Sequence, residues 1–257
     1  MAMSAPLGIA IFFAGALWGS FFFTLALRLS DESYRGKTKE LLFTRSRCPH
    51  CGAPVSIAGL VPLFGYLFLR GRCASCAGNI LWSYPAAEVA FGLVAVAVCV
   101  RFGFSLDAAC VFFALAIAMC VSIIDIKTLS IPGSLCAMIA LVSVYPVVMD
   151  GMWKSHLLGA AGMFVFFAVF MLIFPGSFGG GDVKFAAALG FLAGLEQGAV
   201  LLESALVIGS IAGVIYALAS GKGLRIKFPF APPLTAGLAV SLFWGDAIMR
   251  AYLTFFP

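Results

Sequence analysis

The chain has 257 residues, of which 63% are hydrophobic and only 11% charged, with a net charge of +5. A soluble domain carries roughly 25% charged residues, so the composition excludes one or two water-soluble globules, and the apolar residues fall in the long runs that mark repeated membrane spans. The positive charge follows from topology, as shown next, and carries no weight as a sign of nucleic-acid binding.

A helix needs about 20 apolar residues to cross a bilayer core. In chain order, eight segments are candidates: Leu7–Leu27, Ala86–Val100, Leu106–Ile124, Ile131–Met149, His156–Phe174, Val183–Leu195, Ala199–Ser220 and Pro232–Leu253. The second and sixth are short. The first is too long for a secretory signal and lacks a small-residue cleavage site, so it is read as a retained span. The expected fold is an all-α polytopic membrane protein with about eight transmembrane helices. Its expected parts are a first helix (1–27), a cytoplasmic four-cysteine loop domain (28–85) and a membrane domain (86–257).

Lys and Arg placement sets the orientation. With residues 28–85 in the cytoplasm, the inner loops hold Arg28, Arg35, Lys37, Lys39, Arg45, Arg47, Arg70, Arg72, Lys127, Lys184, Lys222, Arg225 and Lys227, thirteen of the sixteen basic residues. Arg101, Lys154 and Arg250 fall outside, and eight spans then put both termini on the outer side.

The polar segment contains Cys48-Pro-His-Cys51-Gly52 and Cys73-Ala-Ser-Cys76, two C-x-x-C pairs separated by 21 residues. Each pair can set two thiolates on one knuckle turn, and two knuckles complete a tetrahedral site, so Cys48, Cys51, Cys73 and Cys76 are expected to hold a structural Zn2+. Four thiolates leave no open position for a catalytic water. A disulfide is disfavoured in a reducing compartment. His50, between two of the cysteines, is read as an exposed loop residue. Cys99, Cys110, Cys120 and Cys136 lie in or beside spans and are read as small core hydrophobes.

Most of the eleven acids are ordinary. Asp31, Glu32 and Glu40 belong to the soluble loop, Asp107, Asp150 and Glu196 to outer loops, and Glu203 and Asp246 to outer span ends. Glu88, Asp125 and Asp182 instead map to cytoplasmic helix ends. An ionisable group in a membrane helix costs roughly 2.5–3.5 kcal/mol on insertion scales, so it marks function by default. Asp125 ends a strongly apolar span, and Asp182 follows Gly179-Gly180-Gly181, whose missing side chains permit close backbone approach and unusual φ angles. Two carboxylates sharing a site hold one proton between them, so that one activates water while the other donates. That is aspartic-peptidase chemistry. His50 and His156 do not stand in the setting of a serine triad. Two membrane-end aspartates are also the chemistry of a proton- or cation-coupled transporter, and the pair alone does not separate the two readings.

Taken together, these residues resemble the type IV prepilin peptidase family, the leader peptidase/N-methyltransferases. Gly179-Gly180-Gly181-Asp182-Val183-Lys184 is similar to its Gly-x-Gly-Asp motif, Asp125 to its first catalytic aspartate, and the four cysteines to its loop pairs. Tyr84-Pro85-Ala-Ala-Glu88, Phe228-Pro229-Phe230-Ala-Pro232-Pro233 and Gly19-Ser20-Phe21 with Arg28 continue the likeness along nearly the whole chain. The resemblance implies an enzyme of the bacterial inner membrane, with its active site facing the cytoplasm. It would cut prepilins and pseudopilins after a glycine that follows a short basic leader, ahead of their hydrophobic N-terminal helix, with Asp125 and Asp182 as the catalytic pair. It also implies N-methylation of the new terminus from S-adenosylmethionine, and service to type IV pili or type II secretion. The chain departs from the family at Lys127, where a second acid is common, at Phe23, where Asn is common, and at Gly133. The change at Phe23 bears on the methyltransferase role. Lys127 is read as a contact to Asp125 or substrate, or as a snorkelling lysine. Glu88 is read as support for the active site or the methyl-donor site, or as a first-turn acid complementing its helix dipole.

Overall fold

The computed structural model describes residues 4–34, 41, 44–56, 58–174, 178–221 and 227–255. Arg35, Lys37, Lys39, Lys222 and Arg225, used above for orientation, and Glu40, read above as a loop acid, lie outside the described residues. The chain divides into two compact units, residues 1–108 and 109–257.

The first unit contains α1 (Ala5–Leu29), a short α2 (Phe64–Phe68) and α3 (Ser83–Phe102). Pro6 at the first turn of α1 sacrifices an N–H that no turn would have used. The long helices meet through small residues. A Cβ on Gly19 would stand 2.7 Å from the Phe91 Cβ, and one on Gly92 2.7 Å from the Phe12 ring. With Gly15, this is a Gly-x-x-x-Gly seam, the device by which membrane helices gain dispersion contact when lipid offers no hydrophobic drive.

The second unit is built from α4 (Leu106–Thr128, its first turn at the boundary), α5 (Gly133–Asp150), α6 (Trp153–Ile173), α7 (Gly180–Ser220) and α8 (Ala231–Phe255). α4 is its most enclosed span, with 67% of its apolar window buried against 22–28% for α5, α6 and α7. The outer helices expose large apolar side chains such as Leu141, Leu172 and Leu218. In water such a surface would aggregate, whereas lipid solvates it.

Among the described residues, six helices (α1, α3, α4, α5, α6 and α7) are long and apolar enough to cross a membrane. The eighth segment read from the sequence is α8, whose Asp246, Arg250 and Pro232-Pro233 dilute its hydropathy. The sixth and seventh are the halves of α7. Its 41 residues would reach about 60 Å if straight, twice the ~30 Å of a bilayer core. It breaks at Gly194 (φ 80°, ψ −176°), a conformation open to glycine alone.

The break would strand backbone groups in an apolar setting, and α6 answers it. In an unbroken helix the Leu195 N–H would donate to the Phe191 carbonyl. Here it donates to Ser155 Oγ (3.1 Å), and the Phe191 carbonyl accepts from His156 Nδ1 (2.7 Å). The other ring nitrogen, Nε2, is hydrogen bonded to Asp150 Oδ2 at 2.7 Å. Asp150, read above as a surface charge, is thus the anchor of a buried histidine. Its other oxygen accepts from the Met152 N–H.

Candidate active site and metal centre

Asp125 sits in the last turn of α4 and is only 4% exposed. Its carboxylate Oδ2 accepts from the Ala231 N–H at 3.0 Å, and the Phe230 N–H also donates to it. These are the first amides of α8. A helix start leaves four N–H groups without partners, and Pro232 and Pro233 supply none, so Asp125 caps α8 from a different helix. One turn deeper, Ser122 Oγ and Thr235 Oγ1 are hydrogen bonded at 2.8 Å, and Thr235 Oγ1 also donates to the Ala118 carbonyl. These bonds fix the α4 end against the α8 start. The role of Phe230 and Ala231 was missed from the sequence, although the proline pair that follows them was the available signal.

Asp182 occupies the third position of α7, and its Oδ2 accepts from the Gly179 N–H at 2.8 Å. The glycine run was expected to bring unusual φ angles. None of the three has a positive φ: Gly179 is the extended N-cap (φ −93°, ψ 162°), and Gly180 and Gly181 are already helical. Close approach is real at Gly181 alone, where a Cβ would stand 2.9 Å from the Ile131 Cβ. Ile131 lies in the short link after α4, so this contact draws the α7 start against the end of α4. Asp125 and Asp182 are near enough to interact as charges. Lys184 and Asp182 both act on Cys136 of α5. Lys127 and Lys184 are exposed, and the described donors to the Asp125 carboxylate are backbone amides.

Glu88 belongs to the first unit. It stands beyond the first turn of α3 and is 8% exposed, so it does not act as a first-turn dipole acid. Its Oε2 accepts from the Leu63 N–H at 2.8 Å, and the Ser20 hydroxyl also bonds to it. Leu63 has φ 64°, a costly conformation for a side chain with a Cβ, held in part by this bond.

The four cysteines converge as the spacing predicts. All four Sγ atoms lie within 4.8 Å of one another, and Cys48 Sγ and Cys76 Sγ are 3.9 Å apart. Metal–sulfur bonds of ~2.3 Å in a tetrahedron put sulfurs about 3.8 Å apart, so the donor set fits a metal ion. The two knuckles are backbone copies. Cys48 N donates to Ala53 O and Gly52 N to Cys48 O, as Cys73 N does to Gly78 O and Ala77 N to Cys73 O. Gly52 and Ala77 both take positive φ. The Ser75 N–H, with the Cys76 N–H, holds the Cys73 thiol down at about 6. Cys76 draws an N–H from Gly78, yet burial and the crowding sulfurs of Cys51, Cys73 and Cys48 push its thiol up to about 11. Sulfurs that oppose each other's ionisation in this way gain most from a shared cation. His50 is exposed, as expected.

Comparison with known proteins matches both units. Residues 13–102 match the bacterial peptidase A24 N-terminal domain, and residues 110–218 match the type IV leader peptidase family. A prepilin leader peptidase/N-methyltransferase of Bacillus subtilis (strain 168) is 33% identical over 247 residues, 95% of this chain and 96% of that protein. One from Pseudomonas aeruginosa is 30% identical, covering 90% of this chain and 81% of its own length, and one from Stutzerimonas stutzeri is 28% identical, covering 86% and 78%. No solved structure matches the chain. The chain belongs to the type IV leader peptidase family.

Proposed function

We propose, from that membership, that this multi-pass membrane protein cleaves the leader from prepilins and pseudopilins and methylates the new N-terminus, with Asp125 and Asp182 as the catalytic pair. The observation that carries the reading is that two carboxylates, at the last turn of α4 and the first turn of α7, are near enough to interact as charges, each held by backbone amides and free of a paired lysine or arginine among the described residues. One proton is shared between them. The ionised carboxylate takes a proton from water as the oxygen attacks the scissile carbonyl, and the protonated one hydrogen-bonds that carbonyl. The tetrahedral intermediate collapses as the leaving amine is protonated.

The basic residues of the four-cysteine loop and Lys127 in the last turn of α4 support a cytoplasmic site in the bacterial inner membrane. A substrate would lay its hydrophobic helix in the bilayer and leave its basic leader in the cytoplasm, drawn by the acids. Cys48, Cys51, Cys73 and Cys76 would hold Zn2+, which fixes the loop and takes no part in cleavage. S-adenosylmethionine supplies the methyl group: its S–CH3 bond breaks as the N–CH3 bond forms, the sulfur leaves as a neutral thioether, and the amine proton passes to solvent.

The test is prepilin cleavage in liposomes, read by product mass, for wild type, Asp125→Asn and Asp182→Asn. Wild type should lose the leader and then gain one methyl with S-adenosylmethionine, while each variant should fall by at least about a thousandfold. A folded variant that cuts at the wild-type rate sinks the catalytic pair. A cation-dependent flux that survives in a protein unable to cut would favour the transporter reading.

A further inference from the structure

The first unit encloses a cavity of about 540 Å³ between the cytoplasmic end of α1, the four-cysteine loop and the start of α3. That volume is typical of a small-molecule site, and aspartyl chemistry on a peptide has no use for it. Its wall is of mixed character. Tyr34, Tyr66 and Tyr84 line it together with Arg28, Arg45 and Arg47, the carboxylates of Asp31 and Glu88, and the Cys48 and Cys73 edge of the metal centre.

Glu88 is the feature that defines the ligand. It is buried on the wall of this cavity, and among the described residues its hydrogen-bond donors are the neutral Leu63 N–H and Ser20 hydroxyl. No lysine, arginine or histidine pairs with it among the described residues. A buried carboxylate without a cation is expensive, and a ligand carrying fixed positive charge removes that cost. Arg28 is placed to receive the opposite charge. Its guanidinium bonds the Leu41 and Thr44 carbonyls (2.8 and 2.6 Å) and lies over the Tyr34 ring at 5.9 Å, which holds it at the cavity with further N–H groups available.

We propose that this cavity is the S-adenosylmethionine site, with Glu88 facing the sulfonium, Arg28 the methionine carboxylate, and the tyrosine rings the adenine. The inference rests on the methyltransferase part of the reading above. A zwitterion bearing a permanent cation, an anion and a flat heterocycle matches the three kinds of group on this wall. The sulfonium cannot shed its charge as an amine can, so the Glu88 carboxylate supplies affinity at any pH at which it is ionised. Stacking on tyrosine adds a contact that does not depend on charge.

The test is binding of tritiated S-adenosylmethionine to the full-length protein in nanodiscs, followed by ultraviolet crosslinking and peptide mapping. The label should fall within residues 20–88. Glu88→Gln should weaken binding by about tenfold or more, with metal content and thermal midpoint checked to show that it folds. Tyr34→Leu, which keeps an apolar body and removes the ring, should weaken binding several-fold and serves as the second variant. Asp125→Asn should bind as wild type does. Label mapped to residues 109–257, or Glu88→Gln binding within twofold of wild type, overturns the proposal even if methylation is intact. A wild-type protein that cuts prepilin but neither binds S-adenosylmethionine nor adds a methyl overturns the methyltransferase reading, and this site falls with it.

Discussion

Replacing His156 by Leu should destabilise the second unit by about 1–4 kcal/mol. The figure follows from the break in α7. Leu has a volume close to that of imidazole, so little cavity is left, and the main loss is the 2.7 Å bond to the Phe191 carbonyl. Gly194 cannot return to helical geometry without displacing α6, since a helical Leu195 amide would leave Ser155. The carbonyl is then an unpaired group in an apolar setting, a cost of about 1–3 kcal/mol. Asp150, with 35% of its side chain exposed, recovers water and adds only about 0–1 kcal/mol. Ser155→Ala should cost about 1–2 kcal/mol by orphaning the Leu195 amide on the other side of the same break. The two substitutions should couple, because both bonds tie α6 to the two sides of one break. Unfolding in mixed micelles, followed by circular dichroism over a denaturing-detergent titration, gives the free energies. If both variants lie within about 0.5 kcal/mol of wild type, the bonds across the break are not what hold it. A stabilised Gly194→Ala would refute the argument more directly, because alanine at φ 80° is strained unless the helix straightens.

Other consequences are independent of that break. Gly19→Leu should separate α1 from α3 and lower the thermal midpoint by several degrees, because its side chain would meet the Phe91 side chain and the Glu88 backbone; an unchanged midpoint would discount the seam. Purified protein should carry one equivalent of zinc by elemental analysis, and Cys73→Ala should lose most of it. After chelation, Cys73 should be the first thiol alkylated by iodoacetamide at pH 7. Its folded value of about 6 lies below the ordinary thiol's ~8.5, so it is thiolate at neutral pH and its rate should fall as pH drops through about 6. A midpoint near the ordinary ~8.5 would mean that the knuckle turns are lost with the metal.

How far the sequence spoke depended on the range of each interaction. Hydropathy is local, so the spans were legible, and the knuckles were legible because a C-x-x-C turn closes on itself and only the meeting of two turns is long-range. The division of α7 into two helices was read within a residue of its true place, at Leu195, yet with a loop at residues 196–198 where the structure turns directly at Gly194. Nothing in a hydropathy window distinguishes a loop from a glycine that bends a continuous segment. His156 was read only as lacking the setting of a serine triad, because its partners are a carbonyl of another helix and an aspartate that looked like surface. Glu88 looked like a first-turn acid because helix starts drift by several residues. α3 begins at Ser83, early enough to carry Glu88 past the first turn. The glycines before Asp182 advertised backbone freedom, whereas only Gly181 is needed, and for the room it gives Ile131.

The tie between Asp125 and the start of α8 bears on how any loss of activity there should be read. Asp125 accepts backbone amides that no other described group serves, so removing its side chain disturbs the fold as well as the chemistry. Asp125→Ala should leave the Ala231 amide unpaired in a buried site, at about 1–3 kcal/mol, and loosen the α4–α8 junction next to Ser122 and Thr235. Asp125→Asn keeps one carbonyl oxygen for Ala231 while its NH2 can neither take a proton from water nor share one with Asp182. The asparagine variant should therefore unfold close to wild type, within about 1 kcal/mol, and still fail to cut. Asp182→Asn is parallel, since its amide oxygen can receive the Gly179 N–H. If the asparagine and alanine variants at 125 lose stability equally, Asp125 serves α8 through its charge rather than through the acceptor atom, and inactivity of the asparagine variant would no longer isolate catalysis. If only alanine is destabilised while both are inactive, the carboxylate has two separable duties, one that an amide can perform and one that needs a titratable oxygen.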